Sequence, residues 1–142
     1  MTDLTVFAWT FPVAVPFWAL MILLPGWSWT RRILTSPWVP LVPLVWYFAL
    51  AIPHFGALWQ AVSRPDLGVL QAFLGTPYGA ALIWAHLIAF DLFIGRWMFL
   101  EARAHRIPWW IASPLLLLTI VLSPFGLVAF LAVRSARIRS AA

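Results

Sequence analysis

The sequence predicts an all-α integral membrane bundle of four transmembrane helices, with a short interfacial helix between spans two and three. Three observations carry that expectation. Hydrophobic residues make up 64% of the 142-residue chain and charged residues only 9%, against about 25% charged in soluble domains. Mean hydropathy is +0.95, which is more apolar surface than a soluble domain of this length can bury. Four apolar runs, residues 4–24, 41–62, 78–100 and 107–133, reach or approach the roughly 20 residues that a helix needs to cross the hydrocarbon core.

The elements follow in order along one membrane domain spanning residues 1–142. The first run stops at Pro25-Gly26, and its start carries Asp3 and no basic residue, unlike a cleavable secretory signal. Prolines 37, 40 and 43 punctuate the approach to the second run, whose middle holds Pro53-His54. LGVLQAFLG, residues 67–75, is apolar but far too short to cross, so it reads as a helix lying at the interface and stopped by Gly75-Thr76-Pro77. The third run is uninterrupted by proline. The fourth has Pro108 in its first turn, where a missing N–H does no harm, and Pro114 and Pro124 inside it.

Composition excludes several functions. All nine basic residues are arginines, set at the ends of apolar runs, which suits snorkelling to lipid headgroups and not nucleic acid. Absence of cysteine removes disulfides, thiolate metal sites and thiol nucleophiles. His54, His86 and His105 lack any metal-ligand spacing, so no metal and no cofactor is expected. Arg31, Arg32, Arg96, Arg103 and Arg106 fall on one side of a four-span layout and Arg64, Arg134, Arg137 and Arg139 on the other; five against four gives no orientation. Trp27, Trp29, Trp109 and Trp110 gather beside Arg31, Arg32 and Arg106, as an aromatic belt at headgroup depth would.

Asp91 stands in the middle of the third run, where a carboxylate costs about 2.5–3.5 kcal/mol on the insertion scale and marks function or a specific partner. Helical geometry puts Trp84, Leu87, Ile88, Gly95 and Met98 on its stripe, whereas His86 and Arg96, five positions away, point well round the helix. Gly95 would admit a close neighbouring backbone. The partner of Asp91 must then come from another segment: His54 at the proline kink, Thr119 or Ser123 on the fourth run, or Arg31 or Arg32 from the interface. Against these stand plainer readings, in which Asp91 joins helices, His86 packs with Phe90, Phe93 and Trp97, His54 caps a kink, Arg96 snorkels, Glu101 sits in a solvated connection with Arg103 and His105, and Thr119 bonds back to its own helix.

The strings FWALMILLPGWSWTRR, WAHLIAFDLFIGRW with FLEARAHRIP after it, and LLLLTIVLSPFGL resemble the abscisic-acid-deficient-four family, small four-span membrane proteins of plastids and bacteria. The likeness runs in order over residues 17–130, and the string from His86 to Arg96 is its most specific part; Ser123 stands where glycine is expected before the late proline. In plants the family is associated with formation of neoxanthin from violaxanthin. That resemblance implies carotenoid metabolism, with a cofactor-independent isomerase acting on a lipid-soluble epoxide.

Such a conversion needs an acid to protonate the epoxide oxygen and a base to take a neighbouring carbon-bound proton. Asp91 is the candidate acid and His54 or His86 the candidate base, with Trp84, Gly95, Arg96 and Thr119 as candidate substrate contacts. The competing class is a non-enzymatic carotenoid-binding or scaffold subunit in which Asp91 is interhelical glue. A proton or small-molecule transporter is a third class, and it would need a homo-oligomer to form a conduit. Membrane lipids are expected partners in every case, and the multi-pass, lysine-free chain is expected in a bacterial cytoplasmic membrane.

Overall fold

The computed structural model describes residues 3–64 and 66–141, Ala141 through its backbone alone. Its helices are α1 (Asp3–Leu23), α2 (Ser28–Thr35), α3 (Leu41–Ala51), α4 (Phe55–Ser63), α5 (Leu67–Leu74), α6 (Pro77–Ala104), α7 (Trp109–Val121) and α8 (Ser123–Ala141). They form two compact units, one built from the stretch ending at Ala14 with Leu41–Ala89, the other from Val15–Pro40 with the chain from Phe90 onward.

Length decides which helices can cross a bilayer. Among the described residues two are long and apolar enough, α1 with 21 residues and α6 with 28, or about 31 and 42 Å at 1.5 Å per residue. A third crossing is reached only if α3 and α4, which meet at 99°, count as one broken span. Pro53 causes that corner, because it offers no N–H to the carbonyl of Ala49. The turn closes instead through Ile52 N donating to Phe48 O at 3.1 Å and His54 N donating to Leu50 O at 3.4 Å.

The fourth apolar run is not one helix. It breaks at Leu122, and α7, with 13 residues, is about 20 Å long, short of a hydrocarbon core of about 30 Å. The side-chain pairs then show the chain doubling back. Going along α7, Ser113 meets Ile22 and Thr119 meets Met98. Along α8, Ser123 lies by Asp91, Phe130 by Trp97 and Arg134 by Glu101. So α8 climbs α6 in the direction opposite to α7, and the two arms make a helical hairpin with its tip at Leu122. Gly126 permits the closure: a Cβ there would stand 2.7 Å from the backbone nitrogen of Thr119 and closer still to its hydroxyl. Gly95 plays the matching part on α6, where the ring of Trp18 from α1 occupies the space of a Cβ.

In the first unit, Val6, Leu50, Ala51, Ala81 and Leu82 form the core, with Trp46, Tyr47 and Leu58 packed on it. Asp66 caps α5, accepting from Gly68 N at 2.9 Å and Val69 N at 3.2 Å. Thr76 caps α6 by accepting from Gly79 N at 3.1 Å, and Pro77 fills the first helical position, where its lack of an N–H is harmless. Many apolar side chains face outward, among them Ile52, Val121, Phe125 and Val128 at 67–77% exposure, as lipid contact requires.

In the second unit α6 ends in a Schellman motif, with Ile107 N donating to Ala102 O at 2.7 Å and Arg106 N to Arg103 O at 3.2 Å. The left-handed position, φ 51°, is held by Arg106 where glycine is usual, at about 1–2 kcal/mol of backbone strain.

Two outcomes are expected. Because the hairpin returns α8 to the end of α6, single cysteines at His105 and Ser140 should label from the same side of the membrane; labelling from opposite sides means that residues 107–133 cross once. Gly126→Ala should lower thermal stability in detergent by about 1–3 kcal/mol through overpacking. Gly56→Ala, with nothing within 4 Å of the added carbon, should be neutral or mildly stabilising.

Candidate functional site

Asp91 sits half-buried on α6 facing the hairpin tip, and of the partners that the sequence offered it is Ser123 that the fold brings to it. Their approach stops short of a closed hydrogen bond. Ser123 Oγ is buried and makes none among the described residues, so a carboxyl and an unused hydroxyl face each other inside an apolar surround. Backbone chemistry explains why Ser123 stands there. Leu122 N donates to Leu118 O at 2.7 Å, ending α7, and Leu122 O accepts from Phe125 N and Gly126 N, both at 3.0 Å, starting α8. Pro124, two residues on, has no N–H to miss at that turn.

Around this pair the second unit is tightly specified. Trp18 packs on Gly95, one helical turn beyond Asp91. Thr119 is fully buried, donates to Leu115 O at 2.8 Å within its own helix and has Met98 Sδ at 3.5 Å. Arg96 turns its guanidinium to the end of α2, with Nε donating to Leu34 O at 2.7 Å and Nη2 to Thr35 O at 3.0 Å. Glu101 is not confined to a solvated connection: it receives Arg134 from α8 and holds His105 at 3.3 Å. The 33-residue separation of Glu101 and Arg134 leaves no local spacing by which the sequence could have revealed the pair.

The remaining candidate residues lie in the first unit. His54 stacks on Tyr78 at the α3–α4 corner, ring centroids 4.2 Å apart. His86 is set against Tyr47 at 5.8 Å and Trp84 against Phe7 at 5.5 Å. Thus Asp91, Gly95, Arg96 and Thr119 are grouped in the second unit, and His54, Trp84 and His86 in the first. Ser123 joins the site as the hydroxyl opposite Asp91, and its one sequence signal was its place before Pro124 on the face of the fourth run that also carries Thr119. Among the described residues no group of three or more His, Cys, Asp or Glu converges to hold a metal ion.

The family model described as ABA DEFICIENT 4-like matches residues 5–130. Neither a curated protein nor a solved structure gives a significant match. The matched stretch takes in α1 from its third residue, α2 through α7, Asp91, the hairpin tip and the Gly126 contact, and on that extent the chain belongs to the ABA DEFICIENT 4-like family.

Proposed function

We propose that this integral membrane protein acts on a carotenoid epoxide as a cofactor-independent isomerase of the neoxanthin-forming type, in the cytoplasmic membrane of a bacterium. The family's link to that pathway supports the substrate class. The observation that supports the residues is the pair of Asp91 and the unbonded Ser123 hydroxyl at the hairpin tip. Opening an epoxide beside a polyene requires a proton on the epoxide oxygen as the carbon–oxygen bond breaks, leaving a cation that the conjugated chain spreads. Loss of a proton from the adjacent carbon then gives the allenic alcohol. One proton is delivered and one removed, so no oxidant or reductant enters.

In this reading Asp91 delivers the proton and Ser123 donates a hydrogen bond to the same oxygen, which satisfies the buried hydroxyl that is left without a partner among the described residues. His86 and His54, each set against a tyrosine ring in the first unit, stay the candidates that the sequence offers for the base, as Trp84 does for a substrate contact. Gly95, Arg96 and Thr119, grouped with Asp91 in the second unit, shape the surround of a long apolar substrate drawn laterally from lipid. A second reading is a carotenoid-binding or scaffold subunit, and one observation favours it: the Asp91–Ser123 approach links α6 to α8, which interhelical glue would also do.

Substitutions separate the two. Under the catalytic reading Asp91→Asn keeps fold and pigment association but loses the roughly 10²–10⁴-fold that a positioned acid supplies, measured as turnover of supplied violaxanthin. Ser123→Ala should leave stability near unchanged, since it deletes an unsatisfied group, while slowing turnover. Under the binder or scaffold reading Asp91→Asn is nearly silent in every assay, and only Asp91→Leu, which removes the polar group that links α6 to α8, lowers thermal stability in detergent. Full turnover by the Asn variant rules Asp91 out as donor, and bound but unconverted pigment in the unaltered protein favours the binder.

A further inference from the structure

The second unit holds a cleft that the isomerase reading does not use. Its volume is about 580 Å³, between the ends of α1 and α6 and the start of α7. Met21, Phe99 and Leu116 give it an apolar floor, and Arg31, Arg103 and Arg106 line it with positive charge; no acidic residue is among the residues that line it. Glu101, the nearest acid on α6 in sequence, is engaged elsewhere by Arg134 and His105.

Not all three arginines are accounted for by the fold. Arg103 donates from Nη1 to Pro25 O at 2.7 Å and lies over the Phe99 ring. The side chains of Arg31 and Arg106 make no hydrogen bond or ion pair among the described residues, although both line the cleft. Arg106 does so from the left-handed backbone position, φ 51°, where glycine would close the same Schellman motif without strain. Strain kept at a cleft wall, where a more comfortable residue would remove the charge, points to use of the charge. The depth is also defined: Trp27, Trp29, Trp109 and Trp110 stand exposed around this end of the unit at 49–64%, the belt that marks the headgroup zone.

We propose that this cleft is a binding site for an anionic phosphate-bearing amphiphile, a membrane phospholipid whose phosphate is held by Arg31, Arg106 and the free donors of Arg103, and whose acyl chain lies on Met21, Phe99 and Leu116. Guanidinium groups suit it because they give paired donors to phosphate oxygens. A zwitterionic lipid brings its own cation among three others and is disfavoured. The inference is independent of the carotenoid reading, since it concerns residues that the proposed chemistry does not touch.

The test uses the full-length protein, stripped of lipid in detergent, with phosphatidylglycerol, phosphatidylcholine and inorganic phosphate as probes and native mass spectrometry as the readout. Phosphatidylglycerol should bind saturably at one per chain, at least tenfold tighter than phosphatidylcholine, and millimolar inorganic phosphate should not displace it. Arg31→Gln should weaken it at least tenfold. Arg106→Gly is the sharper variant, because it removes the charge while relieving the backbone: thermal stability should hold or rise as lipid affinity falls at least tenfold. Arg137→Gln, outside the cleft, should change nothing. Equal affinity for the two lipids, or unchanged affinity in Arg31→Gln and Arg106→Gly, overturns the proposal. Displacement by phosphate alone overturns the lipid as occupant in favour of a free anion.

Discussion

Every α-helix ends with four carbonyl groups that its own backbone cannot satisfy, and a hydrocarbon surround provides no water to meet them. The second unit is organised around that constraint. At the end of α2 the four are taken in turn: Thr35 Oγ1 donates to Arg32 O, Ser36 N to Ile33 O, and Arg96 to Leu34 O and Thr35 O. At the end of α1, Ser113 from α7 donates to Ile22 O, Thr30 to Leu24 O and Arg103 from α6 to Pro25 O. The helices are thereby tied to one another through their ends as well as through their faces. Arginines that look in sequence like headgroup anchors act here as backbone donors, and positive charge at a helix C-terminus also meets the negative end of the dipole.

The same constraint shapes the hairpin. Reversing the chain at Leu122 exposes backbone groups at depth, and the bonds into Leu118 and out to Phe125 and Gly126 cover those at the break itself. What is left over among the buried side-chain oxygens of the described residues is that of Ser123. In a unit where other buried hydroxyls, those of Thr30, Ser113 and Thr119, have found a carbonyl, the exception lies opposite the carboxylate in the middle of α6. Buried polar groups without partners are rare enough in native folds to call for an explanation, and a transient oxygen from a substrate is one that fits the neighbouring acid.

Much of this was legible in the sequence and some of it was not. The ends of α1 and α6 follow from unbroken apolar runs between clear stops, Pro25-Gly26 and Thr76-Pro77, and α5 was legible as an apolar segment too short to cross. Asp91 announced itself by cost. The hairpin did not, because α7 and the first half of α8 are apolar all round, and hydropathy cannot tell one crossing from two arms that fold together. Proline was a poor guide: Pro114 stays inside α7 whereas the break falls at Leu122. That one reversal also explains the even arginine count, since Arg134, Arg137 and Arg139 return with α8 to the end of α6 that they were expected to oppose. Partnerships across long separations, Ser113 with Ile22 or Glu101 with Arg134, carry no periodic signal at all.

Arg96 is the last residue of the string that gives the family its most specific likeness, and its guanidinium is committed to two carbonyls of α2. On the proposed chemistry, an allele that changes it scores as null in a genetic screen, on the same footing as Asp91→Asn. The underlying defects differ in kind. Loss of Arg96 leaves two carbonyls of α2 bare and unpins a short helix, producing a chain that membrane quality control degrades before it can act, whereas on the proposed chemistry Asp91→Asn leaves an abundant and inert one. Protein abundance, read beside phenotype, is therefore what separates architecture from chemistry along this one stretch of helix.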